Sequence, residues 1–359
     1  MRAELMEPDS PRWPAILSRM RHDFYHLPAY VRFAARRQEP GTPLAFIAED
    51  EGQRFLVPMI VHPIPSDLVG DGVTLFDATG PRGYAGPLVS PEVTTDAYGF
   101  VDRAIDALVD TLRERAVVTA FIRMHPLLGP PSAPLRRAGD VVWHGDSTSI
   151  DLTLPREELW RQTNHGHRLG ISKATRKGYV ARIDETWERF DEFVAVYQAS
   201  MDRLGAVPFW RFSSDYFRDL RETLADHLHL CVVEVGGELA AAALLTEVDG
   251  IVEFHLSGTA NGHLAASPSK LLIDYARWWA KARGNDRFHL TGSVRAGDAL
   301  SQFKAGFSPL HHPVQSWRLV ADRPAYDALV ARRQAVGEVA PSGGDGYFPR
   351  YREPAPVAS

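Results

Sequence analysis

Apolar residues recur along this chain with two periods, and the order of the elements they predict changes character near residue 147. Residues 11–38 read as two short helices divided around His26-Leu27-Pro28. Residues 44–50 (LAFIAED) and 54–64 (RFLVPMIVHPI) read as strands joined by the tight turn Asp50-Glu51-Gly52. Residues 77–88, DATGPRGYAGPL, form a Gly/Pro loop that must run over the surface or line a cleft. Residues 97–115 predict an amphipathic helix with Phe100, Val101, Ile105, Leu108, Val109 and Leu112 on one face. Residues 117–128 follow as a strand. The first half is therefore mixed α/β with β-hairpins.

In the second half, residues 149–154 predict a strand and residues 156–177 a helix. A further helix spans residues 185–204, with Phe190, Phe193, Val194, Tyr197 and Met201 as its apolar stripe. Residues 229–259 read as three strands joined by glycine turns, the first being the two-residue hairpin signal Gly236-Gly237. Ser267 and Pro268 then open a helix as N-cap and first helical residue. Its core face is Leu271, Leu272, Tyr275, Trp278 and Trp279. Residues 288–290 predict the next strand and residues 316–320 (SWRLV) the last. Helix, helix, three antiparallel strands, helix, strand, helix, strand is the order of a GCN5-related N-acetyltransferase (GNAT) fold. Element order alone makes the first half a degenerate copy. The expected fold class is α/β (α+β): two tandem GNAT-like domains with mixed, mostly antiparallel sheets flanked by helices. The expected boundaries are 1–146, 147–320, a C-terminal helix at 321–336 and a Pro/Gly/Ser-rich tail at 337–359, disordered or loosely draped.

Composition narrows the function. Of 359 residues 45% are hydrophobic and 24% charged, as in soluble globular proteins, and the net charge of −5 argues against a DNA-coating protein. The single cysteine, Cys231 in an apolar strand, leaves no disulfide framework or Cys-rich zinc site. The N-terminus lacks the apolar core of a signal peptide, and the longest apolar run, near residues 239–245, is too short to span a membrane; a cytoplasmic home is expected. No Walker loop, dinucleotide glycine motif, Gly-x-Ser-x-Gly elbow or His-Glu-x-x-His is present. His165, His167, His311 and His312 lack carboxylate or Cys companions at ligand spacing, so no metal is expected.

The chemistry gathers in residues 288–309, FHLTGSVRAGDALSQFKAGFSP. A strand leads through a turn into a short helix that sets Phe303 beside Lys304, followed by Gly306. An aromatic ring next to a fixed cation suits a nucleotide end, since the ring can stack on a base and the ammonium can meet a phosphate or a developing oxyanion. The alternative is a core phenylalanine beside a solvated lysine. Residues 161–182 hold Arg161, Arg168, Lys173, Arg176, Lys177 and Arg182 with no acid, which fits an RNA backbone or a diphosphate, or else an ordinary solvated helix face.

These residues carry a resemblance to the Fem family of aminoacyltransferases. The matching places are Phe24-Tyr25, Pro28 and Tyr30; the loop Gly83-Tyr84-Ala85-Gly86-Pro87-Leu88, similar to the family's GYGGPL; the basic helix at 167–178; residues 201–206 with Tyr216-Phe217; and Phe303-Lys304. Family members have two GNAT-like domains and transfer amino acids from aminoacyl-tRNA to peptidoglycan precursors, while relatives act in antibiotic biosynthesis. The long coiled-coil arm of some members is missing here.

The resemblance implies that Phe303 stacks on the terminal adenosine of the tRNA and that Lys304 stabilises charge on the reacting ester. Arg168, Lys173, Arg176 and Lys177 then complete the donor side. Arg203, Arg211, Tyr216, Ser257 and Tyr84 are the acceptor-side candidates, arginine being suited to bidentate phosphate or carboxylate contacts. Helix-end pairing with Asp202 or Asp215 is the competing role for the two arginines. His255 is placed to take a proton from the attacking amine, against a purely structural strand histidine. The helix opened by Ser267-Pro268-Ser269-Lys270 is preceded by a single glycine, Gly262, rather than the Arg-x-x-Gly-x-Gly loop of acetyl-CoA enzymes. The leading expectation is transfer from aminoacyl-tRNA to an amine, either a peptidoglycan precursor or a small metabolite, with no cofactor. Acyl-CoA-dependent N-acyl transfer and a non-catalytic peptide- or nucleotide-binding module are the alternatives.

Overall fold

The computed structural model describes residues 1–38, 40–70, 72–93, 98–292, 297–335 and 346–353. The chain divides into two compact units, residues 1–144 with 314–359, and residues 145–313.

The first unit runs from β1 (Arg2–Met6) through α1 (Arg12–Leu17), a single 3-10 turn at Phe24–His26, and α2 (Pro28–Arg37). β2 (Thr42–Asp50) and β3 (Gln53–Pro63) form the expected hairpin. Glu51 and Gly52 at its tip both have positive φ, 46° and 89°, which matches a two-residue turn to the strand twist. α3 (Ser66–Val69), β4 (Phe76–Thr79), β5 (Leu88–Val89), α4 (Tyr98–Glu114), β6 (Val117–Arg123) and α5 (Ser132–Ala138) follow. α4 covers the sheet, packing Phe100, Val101, Ile105 and Leu108 against Phe46, Phe55, Met59 and Ile122 in one buried cluster. No helix among the described residues is long and apolar enough to cross a membrane.

β7 (Gly139–Asp151) leads into the second unit. There α6 (Arg156–Gln162), α7 (His165–Arg176), β8 (Val180–Ile183), α8 (Phe190–Arg203) and α9 (Ser214–Leu224) precede the antiparallel β9 (Leu228–Val235), β10 (Glu238–Val248) and β11 (Ile251–Thr259). α10 (Pro268–Ala282), β12 (Arg287–Gly292) and α11 (Ala299–Ala305) complete it. Strand order is β7-β12-β11-β10-β9-β8, with β11 and β12 parallel and the other pairs antiparallel. α10 seals one face, burying Leu271, Leu272, Ile273 and Ala276 against Val252, Phe254, Phe288 and Leu290. Cys231 lies in this core, where burial pushes its thiol upward.

Several expected boundaries move. The single helix predicted over 156–177 is two, because Asn164 caps a new start: its side-chain oxygen accepts the His167 N–H at 2.7 Å. The helix expected from residue 185 begins at Phe190, since the Asp184 carboxylate holds the Arg189 N–H at 2.8 Å and Trp187 sits at φ 60°. β1, α3, α5, β8 and α9 were not anticipated, and the stretch read as a loop over 77–88 is strand at its two ends, in β4 and β5. Residues 316–320 do not end the second unit. They lie in β13 (Leu310–Val320), whose later part belongs to the first unit, with Trp317 opposite Ile122 and Leu319 opposite Ala120. That strand fits there because Trp317 Nε1 donates to the Leu135 carbonyl at 3.0 Å and a side chain on Gly139 would strike the Arg318 carbonyl. The first sheet thus reads β1-β2-β3-β4-β6-β13, with β5 on β3.

The C-terminal helix appears as α12 (Arg323–Ala335), also in the first unit. The tail expected to be disordered or loosely draped is anchored at residues 346–353; positions 337–345 and 354–359 lie outside the described residues. Tyr351 is fully buried, its hydroxyl 2.8 Å from Thr119 Oγ1 and donating to Asp77 at 3.3 Å, and Arg352 pairs with Asp77 at 3.0 Å. A composition reading misses this because one tyrosine and one arginine outweigh the surrounding proline, glycine and serine.

Candidate active site

In the second unit the parallel strands β11 and β12 are in register over only three pairs, ending at Glu253 opposite His289. Beyond that fork each strand follows its other neighbour: β11 stays on β10 to Thr259, and β12 meets β7 at Gly292. A bulge deepens the divergence. Leu245 faces Phe254 and Leu244 faces Leu256, which leaves the half-buried His255 as the extra residue. Strand alternation sends Val252, Phe254, Phe288 and Leu290 into the α10 core and Glu253 and His289 to the opposite side. Both polar side chains are fully buried, with His289 Nδ1 3.8 Å from the Glu253 carboxylate.

Lys304 reaches the same region from α11, which starts where Asp298 accepts the Ser301 N–H at 2.8 Å. The solvated-lysine alternative does not hold, because Lys304 is only 6% exposed. Its ammonium donates to Thr291 Oγ1 at 2.9 Å and to the Gly292 carbonyl at 2.7 Å, using two of three protons. Thr291 has φ 62°, a costly conformation for a β-branched residue, and it belongs to the strand end that holds the amine. Burial pushes the Lys304 amine down to about 8, against the opposing pull of the Glu253 and Asp298 carboxylates. Residues 293–296 of the motif lie outside the described residues.

Phe303 and the basic helix are built against each other. The half-buried Phe303 ring lies 5.1 Å from the His167 ring and 5.7 Å from Phe307. Its carbonyl accepts from His167 Nε2 at 2.8 Å, so that nitrogen carries a proton; burial lowers the His167 pKa. The Asn164 N–H donates to the Gly306 carbonyl at 2.8 Å. Gly306 has an ordinary φ of −67°, but a Cβ there would stand 2.5 Å from both Asn164 Nδ2 and His167 Nε2.

The remaining candidates divide. Lys173, Arg176 and Lys177 are exposed and make no ion pair among the described residues. Arg168 folds back on the carbonyls that end α6, at 3.3 Å from Trp160 and 3.2 Å from Arg161. Arg161 pairs with Glu158, and Arg182 with Glu234, Asp184 and Glu188. Arg203 ties the end of α8 to the end of β11 through the Thr259 carbonyl at 3.3 Å and the Asn261 side chain. Arg211 makes the helix-end pair with Asp202. Tyr216 is buried, stacked 4.0 Å from Phe212, and Ser257 is half-buried on β11 opposite Ala243.

In the first unit the two matching motifs are in contact. A side chain on Gly83, at φ 108°, would overlap the Tyr25 ring, and Tyr30 donates to the Arg82 carbonyl at 2.8 Å. Tyr84 packs edge-on to Tyr25 and His125. Beneath them Asp23 accepts from His125 Nε2 at 3.0 Å, and His125 Nδ1 accepts the Leu127 N–H at 3.1 Å. His26 Nε2 donates to the Gly86 carbonyl at 3.0 Å, and burial with the neighbouring His125 pushes His26 down to about 3.

Sequence reading missed Asp23, His26, His125, Glu253 and His289. The signal for the last two was present: a charged or imidazole residue interrupting an apolar strand, as in Val-Glu-Phe-His and Phe-His-Leu.

Residues 161–305 match the model of the Acetyltransferase (GNAT) domain. A search of curated proteins gave no match. The crystal structure of FemX superposes with a TM-score of 0.70 at 10% identity, covering 91% of this chain and 99% of FemX. The C-terminal domain of a putative lysylphosphatidylglycerol synthetase from Agrobacterium fabrum superposes at 0.54, with 17% identity over 90% of this chain and 95% of that domain. L-PGS from Bacillus licheniformis gives 0.53, with 14% identity over 91% and 97%. The acetyltransferase-domain match thus falls on the second unit, and the chain shares the fold of FemX.

Proposed function

We propose that this protein moves an aminoacyl group from aminoacyl-tRNA to an amine acceptor, forming an amide bond. The observation that carries the reading is the buried Lys304 ammonium, held at the parted ends of β11 and β12 beside Phe303 and braced by the start of the basic helix. The acceptor amine attacks the ester carbonyl, and charge grows first on the carbonyl oxygen and then on the departing ribose oxygen. The third Lys304 proton is available to that charge, and a fixed donor of this kind contributes about 10²–10³ in rate. With its amine at about 8, Lys304 is roughly ten-to-one protonated at pH 7 and also suited to protonating the leaving oxygen. Phe303 stacks on the terminal base, while Lys173, Arg176 and Lys177 meet the RNA backbone. Arg203 and Arg211 remain acceptor-side candidates, and His255 in the bulge is the candidate to take the amine's proton. The fold likeness to FemX agrees with a peptidoglycan-precursor acceptor, and the likeness to lysylphosphatidylglycerol synthetase domains with a lipid one.

The test is transfer of label from a pool of charged tRNAs to acid-stable amides, comparing wild type with Lys304→Met. RNase-sensitive transfer that falls about 100-fold or more in the variant supports the reading. The acetyltransferase-domain match favours a second reading, N-acyl transfer from acyl-CoA. Saturable coenzyme A binding, with no transfer from any charged tRNA, would replace the first reading by the second.

A further inference from the structure

Against the corner between α6 and α7 the second unit buries Arg277 of α10, a charged group that the transfer reaction described above leaves unused. We propose that Arg277 is a positioning residue: its guanidinium clamps the α6–α7 corner, from which Asn164 and His167 hold the Phe303-Lys304 segment in place. Its influence on rate rests on the reading of Lys304 as the transfer cation; the clamp itself does not.

The corner needs an anchor. Thr163 and Asn164 are both extended, at φ −69°, ψ 126° and φ −62°, ψ 158°, so the chain passes from one helix to the next without helical geometry to fix the angle between them. Thr163 is fully buried, and its hydroxyl accepts from Arg277 Nη1 at 2.6 Å while donating to the Leu159 carbonyl at 3.0 Å. The same Nη1 donates to the Leu159 carbonyl at 3.3 Å, and Nη2 pairs with Asp274 one turn earlier on α10. A rigid guanidinium fork suits this task, because it meets a carboxylate with one nitrogen and a hydroxyl with the other in a single geometry. The next residue, Asn164, donates to the Gly306 carbonyl and caps His167, and His167 holds the Phe303 carbonyl. A short run of bonds thus leads from the Arg277 guanidinium to Phe303 and Gly306, which flank Lys304.

Stability does not call for an arginine at this place. The other buried residues of α10 nearby are Leu272, Ile273, Ala276 and Ala280, and a buried ion pair is often replaceable by apolar side chains of similar volume without loss. The Arg277 Nε–H is buried with no hydrogen-bond partner among the described residues, which is unfavourable. Arg156 adds a like charge, 4.5 Å from the Trp278 ring centre that Arg277 approaches to 4.6 Å. A cation kept under these conditions is accounted for by what its hydrogen bonds hold.

The experiment follows the His167 ring in histidine-labelled full-length protein, assigned by the signal lost in His167→Gln. Arg277→Met removes the clamp and keeps much of the bulk. Thr163→Val removes only the hydroxyl and leaves the Arg277–Asp274 pair. In both, the His167 Nε2–H bonded to Phe303 should exchange with water about tenfold or more faster than in wild type, and the double variant should add nothing further. The His229 N–H, bonded to Glu247 at 3.1 Å in the same unit, is the control and should keep its wild-type rate. Where transfer is measurable, kcat falls about tenfold or more in both variants at a temperature where they are fully folded. Unchanged His167 exchange in either folded variant overturns the proposal. So does a gain that His229 shares equally, which marks general loosening, and so do additive effects in the double variant or transfer at the wild-type kcat. Should Arg277→Met not fold, Thr163→Val decides alone. Absence of transfer from charged tRNA defeats the donor assignment while leaving the exchange result in force.

Discussion

Gly306→Ala tests the joint between the basic helix and the Phe303-Lys304 segment without replacing Phe303, Lys304 or any residue of the helix. Gly306 has φ −67° and ψ −11°, so alanine meets no backbone strain. The added methyl would lie 2.5 Å from Asn164 Nδ2 and from His167 Nε2, and one or both must retreat. Moving Asn164 weakens the cap of α7, worth about 1 kcal/mol. Moving His167 breaks its bond to the Phe303 carbonyl and leaves polar groups in the interior, which costs about 1–3 kcal/mol. The expected loss is about 2–4 kcal/mol in urea unfolding of the second unit, with faster hydrogen exchange at the start of α7. Gly166→Ala is the control. It lies in the first turn of the same helix, its nearest neighbour would be Asn164 Oδ1 at 3.7 Å, and alanine there should add about 0.5–1 kcal/mol. If the two variants are equally stable and the His167 ring signals are unchanged in Gly306→Ala, the joint as described is wrong.

Other outcomes follow from the buried groups. Because the proposed reaction needs Lys304 protonated, transfer rates should fall above an apparent pKa of about 8, and the limb should vanish in Lys304→Met; an identical limb in that variant would exclude Lys304 as its source. His26 titrates at about 3 in the fold against 6.5 unfolded, so the folded state binds fewer protons between those values. Its contribution is complete above pH 6.5 and is lost as pH falls toward 3, by about 1.4 kcal/mol per unit. The measurement is the difference in urea stability of the first unit between wild type and His26→Gln from pH 7 to 4, and a pH-independent difference would contradict the assignment. Tyr351→Phe should cost about 1–3 kcal/mol by stranding the buried Thr119 hydroxyl, while Asp77 keeps Arg352, and should open the tail to limited proteolysis; an unchanged digestion pattern would show that the anchor lies elsewhere.

Much of the second unit was legible because its elements obey one period each. The α10 stripe, the Gly236-Gly237 hairpin and the strands around Cys231 stand where periodicity puts them. α9 could have been read from Ser213, Phe217, Leu220 and Leu224, a cap followed by helical spacing. β1 and β8 are short strands with largely exposed or half-buried residues, so no alternation betrays them. The site was half legible. Phe303 and Lys304 announce themselves as a pair, whereas Glu253 and His289 meet only through register between strands more than thirty residues apart. Arg168 and Arg182 looked like members of one basic face, but Arg168 is spent on the carbonyls that end α6 and Arg182 on the carboxylates of Asp184, Glu188 and Glu234. Nothing in a one-dimensional charge count separates them from Lys173.

The assignment of β13 has a consequence for how the chain is made. The first unit is interrupted in sequence: residues 145–313 intervene before its last strand, α12 and the Tyr351 anchor arrive. At elongation rates of about 5–20 residues per second, residue 314 is synthesised roughly ten to thirty seconds after residue 144. During that interval β6 has an open edge where Trp317 and Leu319 will pair, while the second unit already has its entire sequence. Vectorial synthesis therefore favours completion of the later-encoded unit first, and a nascent chain halted before residue 320 exposes an unpaired strand to chaperones and to neighbouring chains.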